Sequence, residues 1–358
     1  MVATGDNNRS AQGGDFGLLF DSDSDVVETG KGIGPSARPA APSFALNANT
    51  MYKVLLDGIE VCLSELTQRP YRAIPCQVVL PVTKGNRNQA LADFKRLYDD
   101  GQCQGLRVSG IADLGFLEEF PDLLYLEIVE QKNVNTRPLD FLRNLRGLRL
   151  DSPGAGIDFA RFEELEVFQG DWHSDNRNLD RARELRRIEA WQFKPRSGDL
   201  RDLANIPRLE ILQLTQTNIT SLAGVETLQD LRYLDVAYAS KLESLAALTS
   251  TPPLEIRELH LSNAKKISGY KHIASLKHLR RLQLSTCAPM PDLRWTEGMD
   301  RLDMFSFVET NVQDGDLSPL LSLPALQYVG TADKKHYNYK FQQLNTLLVD
   351  RRAKTRDA

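Results

Sequence analysis

Few residues in this chain have types and spacing that could do chemistry. Asp235, His260, Ser262 and Ser285 supply an acid, a base and hydroxyls. Such a set hydrolyses esters or peptides when the acid orients the base and the base reaches a hydroxyl. The other histidines, His173, His272, His278 and His336, are scattered and make no metal-ligand spacing. Cys62, Cys76, Cys103 and Cys287 form no Cys-x-x-Cys pair. Reduced, buried thiols are the expectation, with a Cys62–Cys76 disulfide as the alternative. Near the start, "DSDSDVVETGKG" opens like a calcium loop with Asp21, Asp23 and Asp25. Val26 then stands where the turn glycine belongs, and Gly32 where a bidentate glutamate belongs. "GKGIGPS" places Lys31 among glycines without phosphate-loop order. No metal and no cofactor is expected.

Composition narrows the classes further. With 41% hydrophobic and 26% charged residues the chain can bury a core. No apolar run approaches the ~18 residues of a membrane span. The opening "MVATGDNNRSAQGG" has neither a basic nor an apolar signal region, so a cytoplasmic location is expected, with secretion by an unconventional route as the alternative. Residues 1–48 carry most of the formal net charge of −4, and the near-neutral remainder lacks the broad basic field that nucleic acid or anionic lipid requires. No nucleic-acid or membrane partner is expected.

The elements that must position the candidate residues follow from hydrophobic spacing. Residues 1–48 are rich in Gly, Ser, Ala, Asp and Pro, lack an apolar period and read as a disordered tail. "DFGLLFD" within them is either a short docking motif or an inert apolar stretch. Residues 49–102 read as an N-terminal cap of hairpin, strand and helix. Asp57-Gly58 makes the hairpin turn, "AIPCQVVLPV" the strand, and Ala90, Leu91, Phe94 and Leu97 one helical face. Residues 103–330 return to one frame of apolar, two variable, apolar, one variable, apolar. It begins at Cys103, Leu123, Leu145, Leu165, Leu185, Leu209, Leu231, Ile256, Leu279, Met299 and Leu323, with an average spacing of 22. Residues 331–358 read as an amphipathic capping helix through Phe341, Leu344, Leu347 and Leu348, followed by a tail.

The copies "LEILQLTQTNITSLAGVETLQD" and "LRYLDVAYASKLESLAAL" resemble the leucine-rich repeat family, in its short-repeat, bacterial-type subclass. That resemblance implies an α/β solenoid: a horseshoe with a concave parallel β-sheet, about eleven repeats, the small mixed cap and the C-terminal helix. It also implies a protein partner gripped on the concave face and no reaction chemistry. Gly170 and Ala190 at strand core positions and a mostly vacant asparagine position are departures from the family frame.

Side chains alternate faces along a strand, so the frame assigns the concave surface. Asp235 and His260 become column neighbours, with Ser262 and Ser285 one column over, but a flat wet sheet offers no oxyanion hole and no catalytic residue is assigned. The expected partner-binding set is Asp171, Trp172, Glu189, Trp191, Tyr233, Asp235, Tyr238, His260 and Phe305. Exposed Trp and Tyr beside carboxylates have the composition of a binding hot spot. The alternative turns Trp172 and Trp191 inward, to fill space left by Gly170 and Ala190. Trp295, on the convex side, is expected to be a structural cover. The leading functional expectation is a non-enzymatic adaptor or inhibitor. An injected or secreted effector using residues 1–48 is the second, and a hydrolase built on Asp235, His260 and a serine the third.

Overall fold

Asp57 and Gly58 both take positive φ, 49° and 80°, as the tight turn between β1 (Lys53–Leu56) and β2 (Ile59–Leu63) requires. The structure, a computed structural model, describes residues 53–64, 78–204 and 206–356. The tail 1–48 with its docking motif and loop decoys, and Cys76, lie outside them. β2 pairs antiparallel with β3 (Val78–Thr83), which in turn pairs parallel with the first repeat strand, β4 (Gly105–Ser109). Helix α1 (Arg87–Asp99) follows β3 and buries Ala90, Phe94 and Leu97, with Phe94 edge-on to Phe120. The cap thus continues the sheet while its helix covers the end of the core.

The array then adds one short parallel strand per repeat. These are β5 (Tyr125–Val129), β6 (Gly147–Leu150), β7 (Val167–Asp171), β8 (Arg187–Trp191), β9 (Ile211–Thr215), β10 (Tyr233–Ala237), β11 (Glu258–Ser262), β12 (Arg281–Ser285), β13 (Met304–Ser306) and β14 (Tyr328–Gly330). All fourteen strands lie in sequence order in one sheet among the described residues. Each strand returns through a short 3-10 turn on the convex side, such as Val225–Thr227 or Ala246–Leu248. The inward residues form one continuous core, in which Leu209, Leu212, Leu214 and Ile219 are all fully buried. No single repeat could bury them alone; stacking does.

Two local rules hold the repeats in step. The residue after most strands takes a left-handed conformation, as at Glu130, Gln192, Gln216, Tyr238, Asn263 and Thr286, which turns the chain off the sheet. The position where the family carries asparagine is filled by small buried residues: Thr217, Ala239, Ala264, Cys287 and Thr310. Thr310 does the asparagine's work, accepting from the Cys287 N–H at 2.9 Å and donating to the Leu284 carbonyl at 2.8 Å. Cys103 and Cys287 are free and buried, and burial pushes the Cys287 thiol up to about 11, so it acts as core rather than nucleophile.

The last two repeats depart from the expected frame. Phe305 pairs in register with Leu282 and Val329 with Phe305, and both side chains are fully buried. The repeats therefore begin at Leu302 and Leu326, three residues later than Met299 and Leu323. "MDRLDMFSF" allows either frame, but the later one buries Phe305 and Phe307 where the earlier one would bury Met304. Aromatic area decides it. At the C-terminus α2 (Phe341–Arg356) buries Leu344 and Leu348 over the last repeat, while Leu347 is exposed. Asn345 lies against β14, its amide accepting from the Val329 N–H at 3.0 Å and donating to the Val329 carbonyl at 2.9 Å.

Candidate partner-binding face

The outward side of the sheet divides into two parts. Towards the cap its residues are buried: Tyr125 and Val167 join Cys62 and Val79 in a second apolar cluster, separate from the main core. Glu127 is fully buried with Arg107 at 3.3 Å and a hydrogen bond from the Ser64 hydroxyl. Glu189, expected on the open surface, is also buried, accepting from Arg187 and from the Gln169 amide. Carboxylates so enclosed need such donors, because an unpaired buried charge is costly.

From β9 onward many outward residues are half-exposed, as at Gln213, Tyr233, Asp235, His260 and Gln283, although Ile211, Glu258 and Ser306 are buried. β10 is the centre of this open part, since Tyr233, Asp235 and, just past its end, Tyr238 all come from it. Tyr238 is 58% exposed and holds φ at 53°, a conformation that bulky residues rarely adopt. Trp191, on β8, is half-buried and in register with Thr215, two strands from Ala237. Asp171 sits beside Trp191 across β7 and β8, and its carboxylate accepts from the Ser152 N–H at 3.0 Å. Asp171 and Trp191 on β7 and β8, Tyr233, Asp235 and Tyr238 at β10, and His260 on β11 thus lie on one face of the sheet.

Three of the nine expected residues are not on that surface. Phe305 is core, for the reason given above, and Glu189 is enclosed. Trp172 packs against the main core, stacked on Phe159 at 6.2 Å and edge-on to Phe168 at 6.1 Å and Phe193 at 5.2 Å. Gly170 lies two residues before it with φ of 146°, and a Cβ there would lie 2.0 Å from the Leu150 carbonyl oxygen. Trp172 fills space beside a strand that has no side chain at that position. Trp295 stacks on Tyr270 at 6.0 Å and meets Phe305 edge-on, as a cover should.

The acid, base and hydroxyl do not assemble. His260 lies opposite Asp235 in register, but its Nδ1 is 3.1 Å from the Tyr233 hydroxyl and its Nε2 is 3.9 Å from Glu258. Asp235 accepts from the Gln213 amide at 3.4 Å, and the Ser285 hydroxyl accepts from Gln283 at 3.2 Å. Burial, helped by Arg281, lowers the His260 pKa to about 4, so the imidazole is neutral at pH 7. Among the described residues no group of three His, Cys, Asp or Glu side chains is placed to hold a metal ion, and no helix is long and apolar enough to cross a membrane.

Sequence reasoning missed a charged ladder on the rim of this face. The residue after each repeat's first core position runs Arg146, Glu166, Arg186, Glu210, Arg232, Arg257, Arg280 and Asp303. Arg146 pairs with Glu166, Arg186 with Glu210 at 2.9 Å, and Arg280 with Asp303 at 3.0 Å. The signal was present in the sequence as alternating sign at repeat spacing.

No protein-family model matches the sequence, and comparison with curated proteins gives no match. Solved structures do match. An internalin (inlF) from Listeria monocytogenes aligns over 66% of this chain and 70% of its own, with a TM-score of 0.51 and 18% identity. An internalin C2 from the same organism aligns over 50% of this chain and 79% of its own, with a TM-score of 0.40 and 17% identity. With one parallel strand per repeat, convex 3-10 turns, a core shared between copies and this likeness, the chain has the leucine-rich-repeat fold.

Proposed function

We propose that the protein is a non-enzymatic recognition scaffold that binds a protein partner on the open part of its concave face, centred on β10. The observation that carries this reading is the large exposed ring of Tyr238 just past β10, on the same face as Trp191, Tyr233, Asp171 and Asp235. Other strands are followed at this left-handed turn by polar residues such as Gln192, Gln216, Asn263 and Thr286, so it is the exposed ring of Tyr238, not the turn, that points to a role beyond packing. Aromatic side chains beside carboxylates also match the make-up of interface hot spots. The hydrolytic reading has no support from the arrangement of His260, whose ring engages Tyr233 rather than a serine. The partner is a protein, without nucleic acid, membrane or small-molecule cofactor. A cytoplasmic adaptor or inhibitor is the first form of this reading; the composition of residues 1–48 supports a secreted effector as the second.

The test is affinity capture with the intact chain and with Tyr238→Ala and Trp191→Ala. Each substitution should weaken binding of the captured partner by about 2 kcal/mol, the range for hot-spot residues, with little change in melting temperature. Undiminished capture by both variants would move the site elsewhere. Export of the intact chain but not of a chain lacking residues 1–48 would select the secreted form.

A further inference from the structure

The rim ladder is built in rungs of two repeats, each an arginine followed by an acid: Arg146 with Glu166, Arg186 with Glu210, Arg280 with Asp303. The rung between the second and the last breaks the rule. Arg232 is followed by Arg257, one arginine beside another. Arg232 turns aside, towards Glu255 at 3.9 Å and the Gln229 carbonyl at 3.3 Å. Arg257 is exposed and meets no carboxylate among the described residues. Beside it opens a cleft of about 400 Å³ lined by Arg257, Arg280, Arg301, His278, Ala325 and a single acid, Asp300. Arg301 donates to His278 Nδ1 at 2.8 Å and likewise meets no carboxylate among the described residues. The surrounding sequence adds to the field. Residues 259–291 contain Lys265, Lys266, Lys271, Lys277, Arg280 and Arg281 and no aspartate or glutamate.

We propose that this rung is completed from outside the chain, by a carboxylate of an acidic peptide segment of the partner protein that enters the cleft and engages Arg257 and Arg301. A guanidinium presents a planar pair of donors that matches a carboxylate, so two of them left without acids form a recognition site for one. Glu255, Asp300 and Asp303 interrupt the basic surface and would repel a continuous phosphate backbone, which favours a short acidic segment over nucleic acid. The proposal rests on the protein-recognition reading only for the peptide nature of the ligand, and it uses no residue of the concave cluster.

The experiment is fluorescence anisotropy of a labelled oligo-glutamate peptide with the full chain at low salt. Binding is expected, and it should weaken at least about tenfold in the Arg257→Gln, Arg301→Gln double variant, which loses two charge-assisted contacts. Lys265→Gln with Lys266→Gln, in the loop after β11 and outside the cleft lining, should change affinity less than about twofold, as screened charges at a distance do. Arg257→Glu supplies the missing acid within the chain. It should abolish peptide binding while raising the melting temperature by about 1–2 °C, the scale of one exposed ion pair. Tyr238→Ala should leave peptide affinity unchanged, so failure here and failure of the concave site are read separately. The proposal is overturned by no peptide binding at low salt, by full binding in the double variant, by a fall in melting temperature with Arg257→Glu, or by an oligonucleotide of equal charge displacing the peptide at lower concentration.

Discussion

Removing the indole of Trp172 should cost folding rather than binding. Its ring lies against Phe159, Phe168 and Phe193. Trp172→Ala should therefore destabilise by about 3 kcal/mol in a denaturant titration, at the lower end for aromatic truncations because the ring is half-buried. Folded variant should still capture the partner, and loss of capture without loss of stability would return Trp172 to the binding surface. His260 carries a pH signature. In the unfolded chain its imidazole titrates near 6.5 and in the folded protein at about 4, so between those values the unfolded state holds a proton that the folded state lacks. Its contribution to stability is complete above pH 6.5 and is lost as pH falls towards 4. His260→Gln should flatten that part of the melting profile, and an unchanged slope would assign the pH dependence to other groups. At this scale the sequence was only partly legible. A period-two frame says which way a side chain points, but not whether something encloses it, and so Glu189 was placed on the outer face yet wrongly taken as open.

The elements were more legible, because each is specified by several residues at once. Nine frame positions from Cys103 to Leu279 fall as spacing predicts, since most set leucine-type side chains inward against like neighbours in register, Gly170 and Ala190 apart. The slip at β13 arose where Met299 and Leu302 both fit the first position and only three-dimensional packing of Phe305 and Phe307 could choose. At the far end the capping helix was legible through Leu344 and Leu348, but the amide that closes the sheet edge was not. Asn345 pairs with both backbone groups of Val329 as a further strand would. Asn345→Leu should destabilise by about 2 kcal/mol by leaving those groups unpaired, and should promote self-association by exposing a sheet edge. Melting and size-exclusion chromatography measure the two effects. A stable, monomeric variant would show that the helix alone protects the edge.

At the scale of the whole molecule, the array has two periods. Its core repeats with every strand, but the rim charges repeat with every second one: arginine then acid through Glu210, and again at Arg280 and Asp303. Sequence spacing reveals the first period through its leucines, and the second as alternating sign one residue after each frame start, with strand register showing that those charges pair. That doubled period restricts how such a chain can change length. Excising the single repeat that carries Arg186 would set Glu166 against Glu210, like charges at neighbouring strand distance, where each now faces an arginine. Excising that repeat together with the next preserves the alternation. Growth or shortening of this solenoid is therefore subject to parity: copies are gained or lost most easily in pairs, and a designer trimming it to a minimal binder should cut by twos.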